Sequence, residues 1–141
     1  MSTYISLTAL ERNGRPYTKT ILVDVNKIAL PIVENSLNNS VIEVDTDVSF
    51  APEHFGSREK YVVDEDLAAI DALTDEVFLG TIISKNDRDD LYPEALFVKS
   101  RVVGVVTEQS PGGHSEFRYR DLTNRSGDFY VVNETLATIN S

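Results

Sequence analysis

The chain has 141 residues, 41% of them hydrophobic, and sets 13 basic against 23 acidic residues for a net charge of −10. That length supports one domain, or two small intimate ones, with a proper buried core. The charge disfavours binding to nucleic-acid phosphates, and the absence of cysteine excludes a disulfide framework, a thiolate metal site and a thiol nucleophile. Met1 to Leu10 lack a basic region ahead of an apolar run, so no secretory leader is expected. No apolar run approaches the roughly 18 residues of a membrane span, so no membrane association is expected.

In chain order, Tyr4 to Leu10 alternate apolar and polar and predict a strand. Arg12-Asn13-Gly14-Arg15 predicts a hairpin turn, because Asn-Gly tolerates positive φ, and Thr20 to Val25 supply the partner strand. Ile28 to Val33 form a third strand interrupted by Pro31, which cannot donate to a ladder and so places this strand at an edge or a bulge. Val41 to Val48 alternate, with Glu43, Asp45 and Asp47 on one face; three acids there predict a guard against edge pairing. A loop from Phe50 to Arg58 follows, then a strand at Tyr61 to Val63 and a helix over Asp64 to Leu73. The pattern then restarts. Strands are predicted at Val77–Ser84, Ala95–Val98, Arg101–Thr107, Ser115–Tyr119 and Phe129–Val132, with a closing helix at Asn133–Ile139; Ser115 to Tyr119 alternate, with Phe117 and Tyr119 on one face and Arg118 and Arg120 on the other.

The restart is a repeat. Tyr61-Val62-Val63-Asp64-Glu65-Asp66-Leu67-Ala68-Ala69-Ile70 returns as Tyr130-Val131-Val132-Asn133-Glu134-Thr135-Leu136-Ala137-Thr138-Ile139, with seven of ten positions identical. Tyr-Val-Val suits a buried strand, Asp64 and Asn133 are good helix caps, and Leu67 with Ile70 gives one apolar helix face. Upstream, Val23 to Ile28 align with Val98 to Val103. A lone unit of about 70 residues has a marginal core. The expected fold is therefore α+β, mostly β: two tandem repeats of a β-hairpin/meander followed by a short helix, residues 1–73 and 74–141, sharing one core.

Arg12-Asn13-Gly14, Val25-Asn26-Lys27-Ile28, Val41-Ile42-Glu43-Val44 and the Tyr61–Ile70 motif together resemble the FlbD family, small proteins encoded among flagellar genes and about one such unit long. The resemblance implies a structural unit and carries over no active site. The duplication and the longer Phe50–Arg58 segment depart from that family. The general character, small, acidic and β-rich, is similar to that of accessory proteins of tailed bacteriophages.

No catalytic constellation emerges. His54 and His114 fall in predicted loops with no shared nucleophile, Glu53-His54 is a lone adjacent pair, and Asp87-Arg88-Asp89-Asp90 lacks the glycine and glutamate of a calcium loop. The protein is accordingly read as no enzyme, with no cofactor and no metal. The candidate contact residues are Phe50, Pro52, Phe55 and Arg58 in the aromatic loop, with Arg118 and Arg120 as a small basic face. The leading expectation is a non-enzymatic structural or interaction protein, an accessory component of a bacteriophage particle. It would contact other virion proteins or copies of itself, in the virion or the host cytoplasm, without touching nucleic acid directly. The alternative is an acidic regulator that binds, or mimics a ligand of, a nucleic-acid-processing enzyme.

Overall fold

Asn13 and Gly14 turn the chain with φ of 52° and 81°, the paired left-handed geometry of a type I′ hairpin. In the computed structural model, which describes residues 4–45, 58–86, 94–108, 113–120 and 127–141, this turn joins β1 (Tyr4–Arg12) to β2 (Arg15–Asp24). So tight a turn closes Arg12 directly on Arg15, which is why β2 begins earlier than Thr20. Ile5, Leu7 and Ala9 enter the core while their neighbours on β1 face out. Val25–Lys27 form a single 3₁₀ turn, begun where the Asp24 carboxylate accepts from the Asn26 N–H. The expected strand Ile28–Val33 shrinks to β3 (Val33–Glu34). Pro31 breaks the ladder, leaving Ile28 and Ile32 as isolated bridges to Val44 and Leu96. β4 (Ser40–Asp45) and β5 (Arg58–Val63) complete a sheet ordered β2-β1-β5-β4-β3.

The second sheet repeats this plan. β6 (Val77–Lys85) and β7 (Glu94–Val98) lead through a 3₁₀ turn at Lys99–Arg101 into β8 (Val102–Glu108), β9 (Ser115–Tyr119) and β10 (Asp128–Val132). Its order is β7-β6-β10-β9-β8, so each strand has a counterpart five places earlier. β3 lies at an edge of its sheet, as Pro31 predicts, and its counterpart β8 lies at an edge of the second. The protein is α+β and mostly β, built as two similar units. Their buried apolar side chains form one cluster, from Leu7, Ile28 and Ile42 in the first unit to Phe97, Phe117 and Val132 in the second.

The shared motif works differently from the capping scheme its sequence suggests. The helices α1 (Leu67–Leu73) and α2 (Leu136–Asn140) begin two residues later than Asp64 and Asn133 allow. Asp66 caps α1 by accepting from Ala69, and Thr135 caps α2 by accepting from Thr138. Asp64 and Asn133 instead donate their backbone N–H groups to the carbonyls of Thr8 and Thr81. Glu65 and Glu134 reach back to accept the N–H groups of those same threonines. The four-residue segment Val-Val-(Asp/Asn)-Glu is thus a clasp onto β1 and β6. The helix ends give up nothing to this clasp, because Asp66 and Thr135 cap them two residues further on.

Other repeated bonds fix the equivalence of the units. Asn86, φ 52°, exchanges bonds with Phe129 as Asn13 does with Lys60. Buried Ser40 and Ser115 stand opposite Val63 and Val132. The 3₁₀ turns align Asp24 with Val98 and Ile28 with Val102, one residue away from the alignment the sequence suggests. Apolar spacing alone could not fix this register, because Val98, Val102 and Val103 are interchangeable by type.

Bulk has moved across the repeat. Thr8 and Thr81 being equivalent, Gly80 stands where the first unit has Leu7, and Phe97 stands where it has Val23. A Cβ at Gly80 would lie 2.7 Å from the Phe97 ring, so the glycine makes room for the aromatic. Phe97 meets Phe117, Tyr119 and Tyr130 edge-on, with centroids 5.0, 5.4 and 4.9 Å away, and stacks on Phe78 at 5.4 Å.

Candidate functional site

The features of this fold that can meet a partner are its strand edges and the junction between its sheets. An edge strand offers unpaired backbone groups unless something blunts it. β2 carries Pro16 near its start, a residue that an edge tolerates. Further along it exposes Leu22, 68% accessible. β8 breaks register with β9 between Val103 and Thr107, and Gly104 within the break has φ of 75°. Such a bulge re-aims an edge. On it Val105 is 72% and Val103 38% accessible.

At the junction the edge of the first sheet meets the edge of the second. Ile32 donates to the Leu96 carbonyl and Leu96 donates to the Ile32 carbonyl, both at 2.9 Å. The two 3₁₀ turns touch beside this bridge: Ser100 Oγ donates to Asn26 Oδ1 at 2.9 Å, and Arg101 Nη2 to the Asn26 carbonyl at 2.7 Å. Asp45 lies between two guanidinium groups, 3.2 Å from Arg58 Nε and 3.7 Å from Arg101 Nη2. Its side chain is 6% accessible. The acids of β4 are therefore no guard on an edge strand. β4 is interior to its sheet, between β5 and β3, and Asp45 is buried as an ion-pair partner; Asp47 lies outside the described residues. A groove of about 140 Å³ also crosses the junction, lined by Leu30, Pro31 and Val33 on one side and Ile82, Lys85 and Tyr130 on the other.

Of the candidate contact residues, Phe50, Pro52 and Phe55 lie outside the described residues, as do His54 and the acidic run at Asp87–Asp90. Arg58 opens β5, and its guanidinium is turned to Asp45. Arg118 is exposed on β9 with its guanidinium 5.8 Å from the centre of the Phe129 ring. Arg120, also exposed, follows β9, and its N–H donates to the Arg101 carbonyl. Phe117 and Tyr119, alternating with these arginines, are buried, as the pattern predicts. His114 is exposed, and among the described residues no group of three His, Asp or Glu side chains is placed to hold a metal ion. Sequence reasoning missed Leu22, Val105 and the Asp45–Arg101 contact. Only the topology brings the last pair together, and no local signal marks it.

A second polar cluster lies on the outer part of the first sheet. Glu59 accepts from Arg12 through one carboxylate oxygen and from the Tyr61 hydroxyl through the other. Burial first, and then the bond to Glu59, push the Tyr61 phenol up to about 12. The phenol's hydrogen bond, followed by Arg12, holds Glu59 below the usual carboxylate range. A tyrosine ionises near pH 10 once unfolded, so Tyr61 contributes stability that is complete below that pH and lost as pH rises toward about 12. Urea titrations between pH 9 and pH 12 should show a steeper loss of stability in the wild type than in Tyr61→Phe. Equal slopes would show that this phenol keeps its ordinary pKa. Comparison with family models, curated proteins and solved structures gives no match to this chain.

Proposed function

We propose that this protein is a non-enzymatic structural or interaction protein, in its most specific form an accessory component of a bacteriophage particle. The observation that carries the reading is the pair of strand edges left unpaired among the described residues, with apolar side chains in water: Leu22 on β2 and Val103 and Val105 on β8. Edges of this kind accept strands from other chains, with backbone bonds giving affinity and side chains giving selection. Phe50, Pro52, Phe55, Arg118 and Arg120 are the further contact residues this reading assigns, and virion or host cytoplasm the place of action. No helix among the described residues is long and apolar enough to cross a membrane. The test is affinity purification of the tagged chain from its native source, with mass spectrometry of what accompanies it. Stoichiometric virion proteins would support the reading. Recovery with neither virion proteins nor further copies of the chain would overturn it.

The net charge of −10, together with Asp71, Asp75 and Glu134 lining one groove at the ends of the two helices, favours a second reading, an acidic regulator of a nucleic-acid-processing enzyme. Stoichiometric recovery with a polymerase or nuclease would put that reading first.

A further inference from the structure

We propose that the chain assembles head to tail with copies of itself, the β8 edge of one copy pairing with the β2 edge of the next through an antiparallel bridge between Val106 and Leu22. This deepens the structural reading above by naming the partner as a second copy and naming the residues that join them.

The molecule already contains this joint once. With Ile32 bridged to Leu96, the strands run β2-β1-β5-β4-β3, then β7-β6-β10-β9-β8. The exit edge of the first unit is docked on the entry edge of the second. The repeat equivalence then identifies what lies at the outer ends. Leu96 stands two residues before Val98, the cap of its 3₁₀ turn, and Leu22 stands two before Asp24, the cap of the other. Ile32 stands four residues after Ile28, and Val106 four after Val102, the residues that end those turns. The outer ends are therefore the same two surfaces that meet inside the chain. Among the described residues, no bridge joins β2 to β8.

The backbone at both ends is set for the pairing. Thr8 uses its N–H and carbonyl on Glu65 and Asp64, away from β2, so its pair with Thr20 is of the non-bonded kind. Bonded and non-bonded pairs alternate along an antiparallel ladder. Leu7 with Ile21 is then bonded and Ser6 with Leu22 is not, which leaves the Leu22 N–H and carbonyl pointing outward. Thr81, clasped by Glu134 and Asn133, sets the same phase for Leu79 with Leu96, and there the outward groups are the ones that bond Ile32. On the other edge, Ile32 is free to leave its own sheet because the ladder with β4 lapses between Ile28 and Val33. The ladder of β8 with β9 lapses at the corresponding place, between Val103 and Thr107, and Val106 sits in that gap.

Burial records the same missing neighbour. All four residues from Ala95 to Val98 are fully buried, whereas Leu22, the counterpart of Leu96, is 68% exposed. In α1, which packs against β6 and β7 of the following unit, Leu67 and Ile70 are buried. In α2, with the same apolar spacing, no residue is fully buried. Each element that lacks burial is one whose counterpart is covered by the adjoining unit. A contact between two different surfaces is heterologous and generates a ring if the rotation closes, or a filament if it does not.

The test uses two single substitutions, Leu22→Lys and Val105→Lys, at exposed positions where a lysine blocks edge pairing without entering the core. Light scattering across a concentration series should show the wild type growing beyond a monomer, and each variant should weaken that growth by roughly tenfold or more. Circular dichroism should show both variants folded with unchanged thermal midpoints. The decisive sample is their equimolar mixture. Each variant keeps one competent end, so at a concentration where either variant alone is monomeric the mixture should give dimers and nothing larger. A wild type monomeric to roughly millimolar concentration, or a wild-type oligomer that neither lysine affects, would overturn the proposal. A mixture that recovers no dimer would overturn it too. A monomer that still purifies with virion proteins would refute this joint and leave the structural reading standing.

Discussion

Replacing Asp45 by asparagine should cost the fold about 3 kcal/mol, because the substitution removes the buried carboxylate that lies between the Arg58 and Arg101 guanidinium groups. Arg58 and Arg101 are 20% and 10% accessible. Breaking a buried pair from one side typically costs about 3–5 kcal/mol, and the fifth of Arg58 still in water places the value at the lower end. Arg101 also bonds the Asn26 carbonyl, so the loss should loosen the junction between units as well as β4. Urea unfolding of Asp45→Asn measures the loss directly. The double variant Asp45→Asn with Arg101→Met should recover part of it, since removing the stranded charge removes most of the penalty. A single variant within 0.5 kcal/mol of wild type, the range of ordinary surface changes, would show that the cluster is solvated and carries no structural weight.

Truncating Phe97 to alanine should be more severe, about 3–5 kcal/mol. Against a total stability of roughly 5–15 kcal/mol, that is enough to unfold a marginal protein. The ring is fully buried and contacts four other aromatic rings. Its removal leaves a cavity that Gly80, having no side chain, cannot fill. All four neighbours belong to the second unit, so the experiment also asks whether the two units melt together. One buried cluster runs through both, and the expected outcome is a single thermal transition displaced as a whole. Two transitions, with the first unit melting as in the wild type, would show two cores. Phe97→Leu, which keeps most of the volume, should lose substantially less and remain folded for comparison.

Local chemistry by itself determined a good part of this protein. Asn13-Gly14 specified a hairpin because positive φ is a property of those residues, whatever surrounds them. Pro31 specified an interrupted edge because its nitrogen has no hydrogen. Phe117 and Tyr119 announced their buried face through a period of two, and the recurrence of Tyr-Val-Val-x-Glu announced two similar units. Tertiary structure decided the rest, wherever a residue's role depends on what stands opposite it. Asp64 reads as a helix cap, yet Thr8, distant in sequence, recruits it and its neighbour Glu65 to a strand. Asp45 reads as an exposed acid, yet the sheet order places β4 inside and brings Arg101 of the other unit against it. The sharpest case is Leu22 and Leu96. Both sit at equivalent points of equivalent edge strands, yet one is in water and the other fully buried. Burial belongs to the pair of surfaces that meet, and within one chain only one of the two leucines finds its partner.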